Sequence, residues 1–164
     1  MRIILASLML SVLYTGAALA QTYIANISSD TVSVISDGST VTVDVGRGPI
    51  GLAVTPDGDF VYVANSGSNN VSVIDTKTNM VAHTVDVGMA PFGAAVTLNG
   101  DFVYITNSGS NNVSVIDAST NVVFATIAVG QSPTGVATTP NHAFVANTDS
   151  NNVSVIDVST NKVG

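Results

Sequence analysis

Few residues in this chain could do acid–base or metal chemistry, and most of them are aspartates. The 164 residues include 11 acidic side chains, all of them Asp, together with two histidines and no cysteine. The lack of Cys removes thiolate metal sites, covalent haem attachment and cysteine nucleophiles. His83 and His142 have no His-x-x-x-His spacing, which disfavours a zinc pair. With no Glu present, catalysis by a glutamate is excluded within this segment.

Three aspartates occupy the same place in successive copies of a repeat: Asp75, Asp117 and Asp157. Coincident carboxylates can indicate calcium, but calcium prefers six or more oxygen ligands. Each Asp also precedes a Thr/Ser-rich turn ending in Asn, where its side chain can accept hydrogen bonds from turn N–H groups. We therefore assign them to the turns. The sequence predicts no metal site, no cofactor and no catalytic residue in this segment.

The repeat itself is the strongest feature of the sequence. Residues 62–75, YVANSGSNNVSVID, recur at 104–117 and, altered, at 144–157, and a worn copy opens at Tyr23. The asparagines that end the first block lie at positions 26, 65, 107 and 147, so the period is 39, 42 and 40 residues. A period of about 40 residues made of short apolar runs and turn residues is typical of propeller blades.

Within each copy the pattern predicts four short strands joined by tight turns, which must pair as an antiparallel meander. Residues 60–64 are apolar throughout, as expected for a middle strand that is buried on both faces. Residues 93–97 are small and are predicted to lie next to the axis, whereas residues 81–87 are predicted at the rim. The predicted fold class is all-β, a β-propeller of four-stranded antiparallel blades.

Four blocks in fixed order resemble the YVTN β-propeller repeat family over residues 22–164. They are Tyr-Val-Ala-Asn, Val-Ser-Val-Ile-Asp, Thr-Pro-Asp-Gly and a Val-Gly-x-x-Pro-x-Gly block at 45–51, 87–93 and 129–135. The resemblance implies an exported propeller, often seven-bladed, with surface-layer proteins among its relatives. It implies an interaction or scaffold role and supplies no catalytic residue.

Residues 1–20 have the order of a secretory signal peptide. A basic Met1-Arg2 precedes an apolar stretch from Ile3 to Leu13, and Ala18-Leu19-Ala20 provides a small-x-small cleavage site before Gln21. We expect cleavage there, with no stable membrane span in the mature protein. The mature chain is then periplasmic, extracellular or attached to the cell surface.

The remaining residues, 21–164, divide into about three and a half blades. They comprise a partial blade at 22–46 that lacks its inner strand, blades at 51–87 and 93–129, and an incomplete blade at 135–164. Propellers use at least four blades, so these residues alone leave the ring open. Two explanations remain. The favoured one is that these residues are the N-terminal part of a longer protein, and the other is self-association of two copies that close a propeller of about seven blades.

The candidate binding residues come from variation inside the repeat. Residues that hold a blade together should recur, whereas residues that touch a ligand need not. Arg47, Met89 and Gln131 occupy equivalent points in the loops before successive inner strands, and they differ in chemistry. Such loops gather on one face of a propeller. Neutral drift at exposed positions explains the same variation.

These observations predict a binding or structural scaffold that is non-catalytic in this segment. A formal net charge of −7 with four basic residues disfavours nucleic-acid binding. The expected partner is a protein or another component of the cell envelope. The alternative is the N-terminal fragment of a propeller enzyme or redox protein whose catalytic residues lie beyond Gly164.

Overall fold

The computed structural model describes residues 11–14 and 21–164. The predicted signal peptide, residues 1–20, lies outside the described residues apart from Ser11–Tyr14. The described part forms sixteen β-strands, and it contains no helix long and apolar enough to cross a membrane. The strands are β1 Ser11–Tyr14, β2 Gln21–Asn26, β3 Thr31–Ser36, β4 Ser39–Asp44, β5 Pro49–Val54, β6 Phe60–Asn65, β7 Asn70–Asp75, β8 Met80–Asp86, β9 Pro91–Val96, β10 Phe102–Asn107, β11 Asn112–Asp117, β12 Val122–Ala128, β13 Pro133–Thr138, β14 His142–Asn147, β15 Asn152–Asp157 and β16 Lys162–Val163.

Consecutive strands form four antiparallel sheets of four strands each, which we call the first to fourth blades. Each blade is a simple meander, so the predicted all-β propeller fold is confirmed. The fourth blade is incomplete at the rim, because β16 spans only two residues. The first blade differs from expectation. Its inner position is occupied by β1, which pairs with β2 from Ser11 opposite Ile24 to Tyr14 opposite Gln21 and satisfies an otherwise open edge.

Small residues let the inner strands of neighbouring blades lie very close together. A side chain on Gly51 would collide with the carbonyl oxygen of Phe92, and one on Gly93 would collide with that of Thr134. The Thr106 hydroxyl reinforces the second of these contacts by accepting a hydrogen bond from Gly93 N–H (2.8 Å) and donating one to Thr134 O (2.8 Å). The predicted inner placement of the small strands follows from this close approach. The rim strands β8 and β12 are mostly exposed, as predicted.

Blades pack face to face through apolar side chains. We call the face that packs on the following blade the trailing face, and the one that packs on the preceding blade the leading face. In the second blade Tyr62 and Val71 lie on the trailing face, against Ile105 and Ile116 on the leading face of the third blade. Equivalent clusters join the first blade to the second and the third to the fourth. Middle strands β6, β7, β10 and β11 are therefore buried on both sides.

A tyrosine hydroxyl also links each of two blade pairs. Tyr62 Oη donates to Asn121 Oδ1 (2.8 Å), and Tyr104 Oη donates to Asn161 Oδ1 (2.7 Å) in the following blade. Burial raises the pKa of both tyrosines to about 12, so the hydroxyls remain donors well into the alkaline range. The first pair of blades departs from this pattern. Tyr23 donates instead to Gln21 Oε1, and Asn79 Oδ1 is buried without a hydrogen-bond partner within the described residues.

The close approach of the inner strands predicts different outcomes at equivalent glycines. Gly93→Ala should lower the free energy of unfolding by about 2 kcal/mol or more, because the added methyl group overlaps backbone that cannot easily move. Gly135→Ala is the matched control, since the nearest atom to its added methyl would be Ala146 Cβ at 3.7 Å. Urea unfolding at low protein concentration measures both. Equal destabilisation of the two variants would contradict the proposed packing.

Candidate functional site

The candidate site is a face built from two kinds of loop, which we call the loop face. Linker loops at residues 46–48, 88–90 and 130–132 join one blade to the next, and hairpin loops at 66–69, 108–111 and 148–151 join the two middle strands of each blade. Each linker loop lies against the hairpin loop that follows it in the chain. The face is therefore assembled from local pairs of loops that repeat from blade to blade.

Three hydrogen bonds hold each linker loop to its hairpin loop. In the second blade Arg47 N–H donates to Ser68 Oγ (2.9 Å), and the carbonyl oxygens of Arg47 and Gly48 accept from Gly67 and Ser66 N–H (2.9 Å each). The same pattern recurs around Met89 and around Gln131. The donors there are Met89, Gly109 and Ser108 N–H in the third blade, and Gln131, Asp149 and Thr148 N–H in the fourth.

A fourth hydrogen bond ties each linker loop to the blade before it. Ala90 N–H donates to Asn69 Oδ1 (2.9 Å), and Ser132 N–H donates to Asn111 Oδ1 (2.9 Å). Asn69 and Asn111 have φ of 58° and 54°, in the left-handed region that Asn tolerates better than most residues. Each of these asparagines therefore forms the turn of its own blade and accepts a hydrogen bond from the linker loop that leads into the next blade. In the first blade Asp30 has the same role for Gly48 N–H (2.8 Å).

Below the loops, a buried asparagine anchors each hairpin. Asn107 Nδ2 donates to Asn112 Oδ1 (2.8 Å) and Ser114 Oγ (2.9 Å), and Asn65 and Asn147 make the equivalent bonds. The Oδ1 atoms of all three asparagines are buried without a partner in the described structure. Gly88 lies directly above Asn107, where a Cβ would come within 2.7 Å of its amide. A Gly recurs 17 to 19 residues before each of these asparagines, which is the only sign of the contact in the sequence, and the contact itself was not predicted.

The structure places Arg47, Met89 and Gln131 at equivalent positions on the loop face. Their side chains are exposed, and Met89 exposes 57% of its surface. Both the N–H and the C=O of each residue are hydrogen-bonded to the neighbouring hairpin. The backbone at these three positions is therefore fixed by contacts that do not involve the side chain. That arrangement lets the side chain vary without altering the loop.

Two cavities between the described residues are lined by side chains other than these three. A cavity of about 260 Å³ with polar and apolar lining lies between the first two blades, beside Asp44, Ser72 and Val81. A second, of about 200 Å³, lies beside the Asp57 and Asp101 turns. The structure thus offers the three predicted residues as an exposed surface and not as an enclosed pocket.

The repeated aspartates have the predicted turn role. Asp117 Oδ1 accepts hydrogen bonds from Ser119 Oγ (2.6 Å), Ser119 N–H (2.9 Å) and Thr120 N–H (3.0 Å). These bonds hold the pKa of the Asp117 carboxyl below its usual range, and the bond from the Ser119 hydroxyl has the largest effect. Asp75 and Asp157 accept from their turns in the same way. Within the described residues no group of three or more His, Cys, Asp or Glu side chains could hold a metal ion.

The bond from Ser132 to Asn111 can be tested by amide exchange. Asn111→Gly keeps a residue suited to positive φ and removes only the acceptor, so exchange of the Ser132 amide should accelerate about tenfold. The Ala90 amide, which Asn69 holds, is the internal control and should exchange at its wild-type rate. Unchanged protection at Ser132 would show that the bond does not hold the loop.

Comparison with known proteins places this architecture in a family. No curated protein matches the sequence. The solved structure of Kuenenia stuttgartiensis hydrazine synthase is similar, with 28% identity and a TM-score of 0.82 over 87% of this chain and 44% of that chain. A functionally unknown protein from Desulfotomaculum acetoxidans DSM 771 shares the fold, with 20% identity and a TM-score of 0.70 over 88% of this chain and 52% of that one.

The chain thus spans about half the length of the solved proteins that it resembles. A family model described as a 7-bladed β-propeller lactonase matches residues 21–163, nearly all of the chain after the predicted signal peptide. This match agrees with the four-stranded meander blades and with their face-to-face packing. The chain belongs to the lactonase, 7-bladed beta-propeller family.

Proposed function

We propose that this protein is an exported binding module that presents its loop face to a protein or another component of the cell envelope. The observation that carries the proposal is the fixed backbone at Arg47, Met89 and Gln131, where three exposed side chains of different chemistry occupy one repeated geometry. The module acts by display and performs no reaction with the residues of this segment.

Rigid presentation favours binding for a physical reason. A loop that is ordered before binding loses less conformational entropy when it meets a partner. The linker loops are held on one side by the hairpin loops and on the other by the preceding blade. The three positions supply a cation, a thioether and an amide, so one face can combine a charge contact, an apolar contact and a neutral hydrogen bond.

Export and location belong to the same proposal. Residues 1–20 support export, because a basic start, an apolar stretch and a small-x-small site precede Gln21. The YVTN resemblance supports a surface-layer-like or periplasmic setting. With a net charge of −7, the protein is suited to partners other than nucleic acids.

Site-specific photo-crosslinking tests the loop face in the exporting cell. A photoreactive residue at position 89 should capture a discrete partner, because Met89 is exposed on the proposed contact surface. The matched control position is Met80 on the rim, which is similarly exposed (66% against 57%) and should give no such product. The purified partner is then titrated against the variant R47A/M89A/Q131A, whose affinity should fall at least about tenfold.

Two results would overturn this proposal. One is capture of the same partner from position 80 as efficiently as from position 89. The other is an unchanged affinity of the triple variant for the captured partner, which would leave neutral drift as the explanation of the variable positions.

A second candidate function is supported by the family match and by the similarity to an enzyme. The chain is 28% identical to part of hydrazine synthase and belongs to a family named for lactonase activity. In this alternative the present residues form the N-terminal part of a propeller enzyme or redox protein, and its catalytic residues lie beyond Gly164. The alternative supplies a function for the scaffold and does not require chemistry in the described blades.

Sequencing the reading frame past Gly164, followed by a lactone-hydrolysis assay, separates the binding module from a lactone-hydrolysing enzyme. For the binding module we expect no hydrolysis above the buffer rate by the 164-residue chain or by any longer product of that frame. Saturable hydrolysis by a longer product, lost when acidic or histidine residues beyond Gly164 are replaced, would establish the enzyme instead. Hydrolysis by the 164-residue chain itself would contradict both.

A further inference from the structure

The cavity of about 260 Å³ between the first two blades borders the loop face. Its first wall consists of residues 44–46, where β4 ends and the linker loop begins. Its second wall consists of Asn70, Ser72, Val81 and Thr84, on strands β7 and β8. The rim strands β4 and β8 are both paired along their length with the third strands of their blades. The cavity is thus a feature of two neighbouring blades and does not depend on what packs against the terminal blades.

Strands β7 and β8 place four polar side chains on one face of the second blade. Ser72 is paired with Thr84, and directly paired residues point to the same side of a sheet. Asn70 is paired with Asp86 in the same way. Residues 70, 72 and 74 share a face because side chains alternate along a strand, and Ile74 packs against the first blade. The four polar side chains therefore lie on the leading face, towards the first blade.

Ser72 supplies a buried hydroxyl whose proton has no acceptor among the described residues. Only 2% of Ser72 is exposed, and its Oγ accepts hydrogen bonds from Asn65 Nδ2 (2.9 Å) and Gly46 N–H (3.3 Å). A serine oxygen has two acceptor lone pairs and one proton, so these bonds leave only the donor unused. A buried donor without an acceptor is unfavourable, and the cavity is the space in which an acceptor can lie.

Asn70 adds a second donor to the same wall. Its Oδ1 accepts hydrogen bonds from Asn65 Nδ2 (2.9 Å) and Ser68 Oγ (3.0 Å), whereas its Nδ2 has no partner in the part of the chain that the structure describes. The hydroxyl of Thr84 is also without a described partner. The second wall therefore offers donors to whatever occupies the cavity.

The charges around the cavity restrict the ligand further. Asp86 is exposed beside Asn70, and Asp44 lies in the opposite wall. None of the described residues that line the cavity is Lys, Arg or His. A carboxylate or phosphate ligand would therefore meet aspartate without a compensating cation. An ammonium group would have no lone pair to accept from the donors on the second wall, whereas a hydroxyl group both donates and accepts.

We propose that this cavity binds a neutral, polyhydroxylated molecule, namely a sugar unit or another polyol. One ligand hydroxyl accepts from the Ser72 hydroxyl and Asn70 Nδ2, and a neighbouring hydroxyl donates to the Asp86 carboxylate. The C–H groups of the ligand pack on Val45 and Val81. The cavity is smaller than the sites of about 300–1,000 Å³ that hold drug-sized ligands, so it takes one sugar ring, with affinity in the millimolar range. This site is separate from the partner contact proposed for the loop face.

The third blade provides an internal comparison. It repeats the amide and both hydroxyls, at Asn112, Ser114 and Thr126, but it has Ala128 in place of the carboxylate. The third blade therefore has the donors of the proposed site without its charged acceptor. Its amide signals serve as a reference for unspecific effects of added ligand.

NMR titration of the protein produced from the 164-residue chain tests the site. Methyl glucoside, methyl galactoside, methyl mannoside and sorbitol are each added up to about 100 mM. At least one of them should shift the amide signals of Gly46, Ser72 and Thr84 in a saturable way, and should leave those of Ser114 and Thr126 nearly unchanged. Saturation by sodium acetate or methylammonium chloride alone would overturn the inference and indicate a charged ligand. No saturable shift with any probe would also overturn it and leave water as the occupant.

Two aspartate variants test the role of the carboxylate with the glycoside or polyol that binds. Asp86→Ala should weaken binding about tenfold, because it removes a charge-assisted hydrogen bond. The strand tolerates this change, since the third blade has Ala128 at the same place. Asp149→Ala is the matched control, because Asp149 is also exposed but lies in the fourth blade, and its variant should bind as wild type does. Equal affinity of wild type and Asp86→Ala would contradict the proposed site.

Discussion

Burial of the middle strands on both faces is the constraint on which the rest of this structure depends. A β-strand that is apolar on both sides must be covered twice, and here each blade covers its neighbour. Tyr62, Val63 and Val73 are fully buried, although all three belong to a single thin sheet. Glycines in the inner strands allow the backbones of neighbouring blades to come close enough for this packing. No blade in this arrangement has a complete core of its own.

The polar groups of the repeat complement this packing. Asn69 and Asn111 form left-handed turns and also accept hydrogen bonds from the next linker loop. Asn107 holds its hairpin from below, and the turn aspartates hold the opposite end of the blade. Because these contacts fix the backbone, the side chains of Arg47, Met89 and Gln131 are not needed to hold the linker loops. The residues that stabilise the blades are therefore different from those that vary on the loop face.

Because each blade packs on its neighbours, the exposure of the side chains on a terminal blade depends on what lies next to it. Phe144 and Val153 are exposed only because no blade covers them in the described structure. At the inner edge of the first blade, β1 pairs with β2 and occupies the place of an inner strand. A blade at the end of an array is thus defined by its neighbour as much as by its own sequence.

The sequence by itself determined the period, the four strands of each complete blade and the loop positions of Arg47, Met89 and Gln131. These features depend on local patterns of apolar runs and turn residues, and the same patterns recur in each repeat. Tertiary structure decided the contacts between repeats. The Tyr62–Asn121 bond joins two blades, and the β1–β2 pairing adds a strand from outside the recognised repeats to the first blade. Such contacts depend on which segment lies beside which in the folded chain, and the residue spacing within one repeat does not determine that.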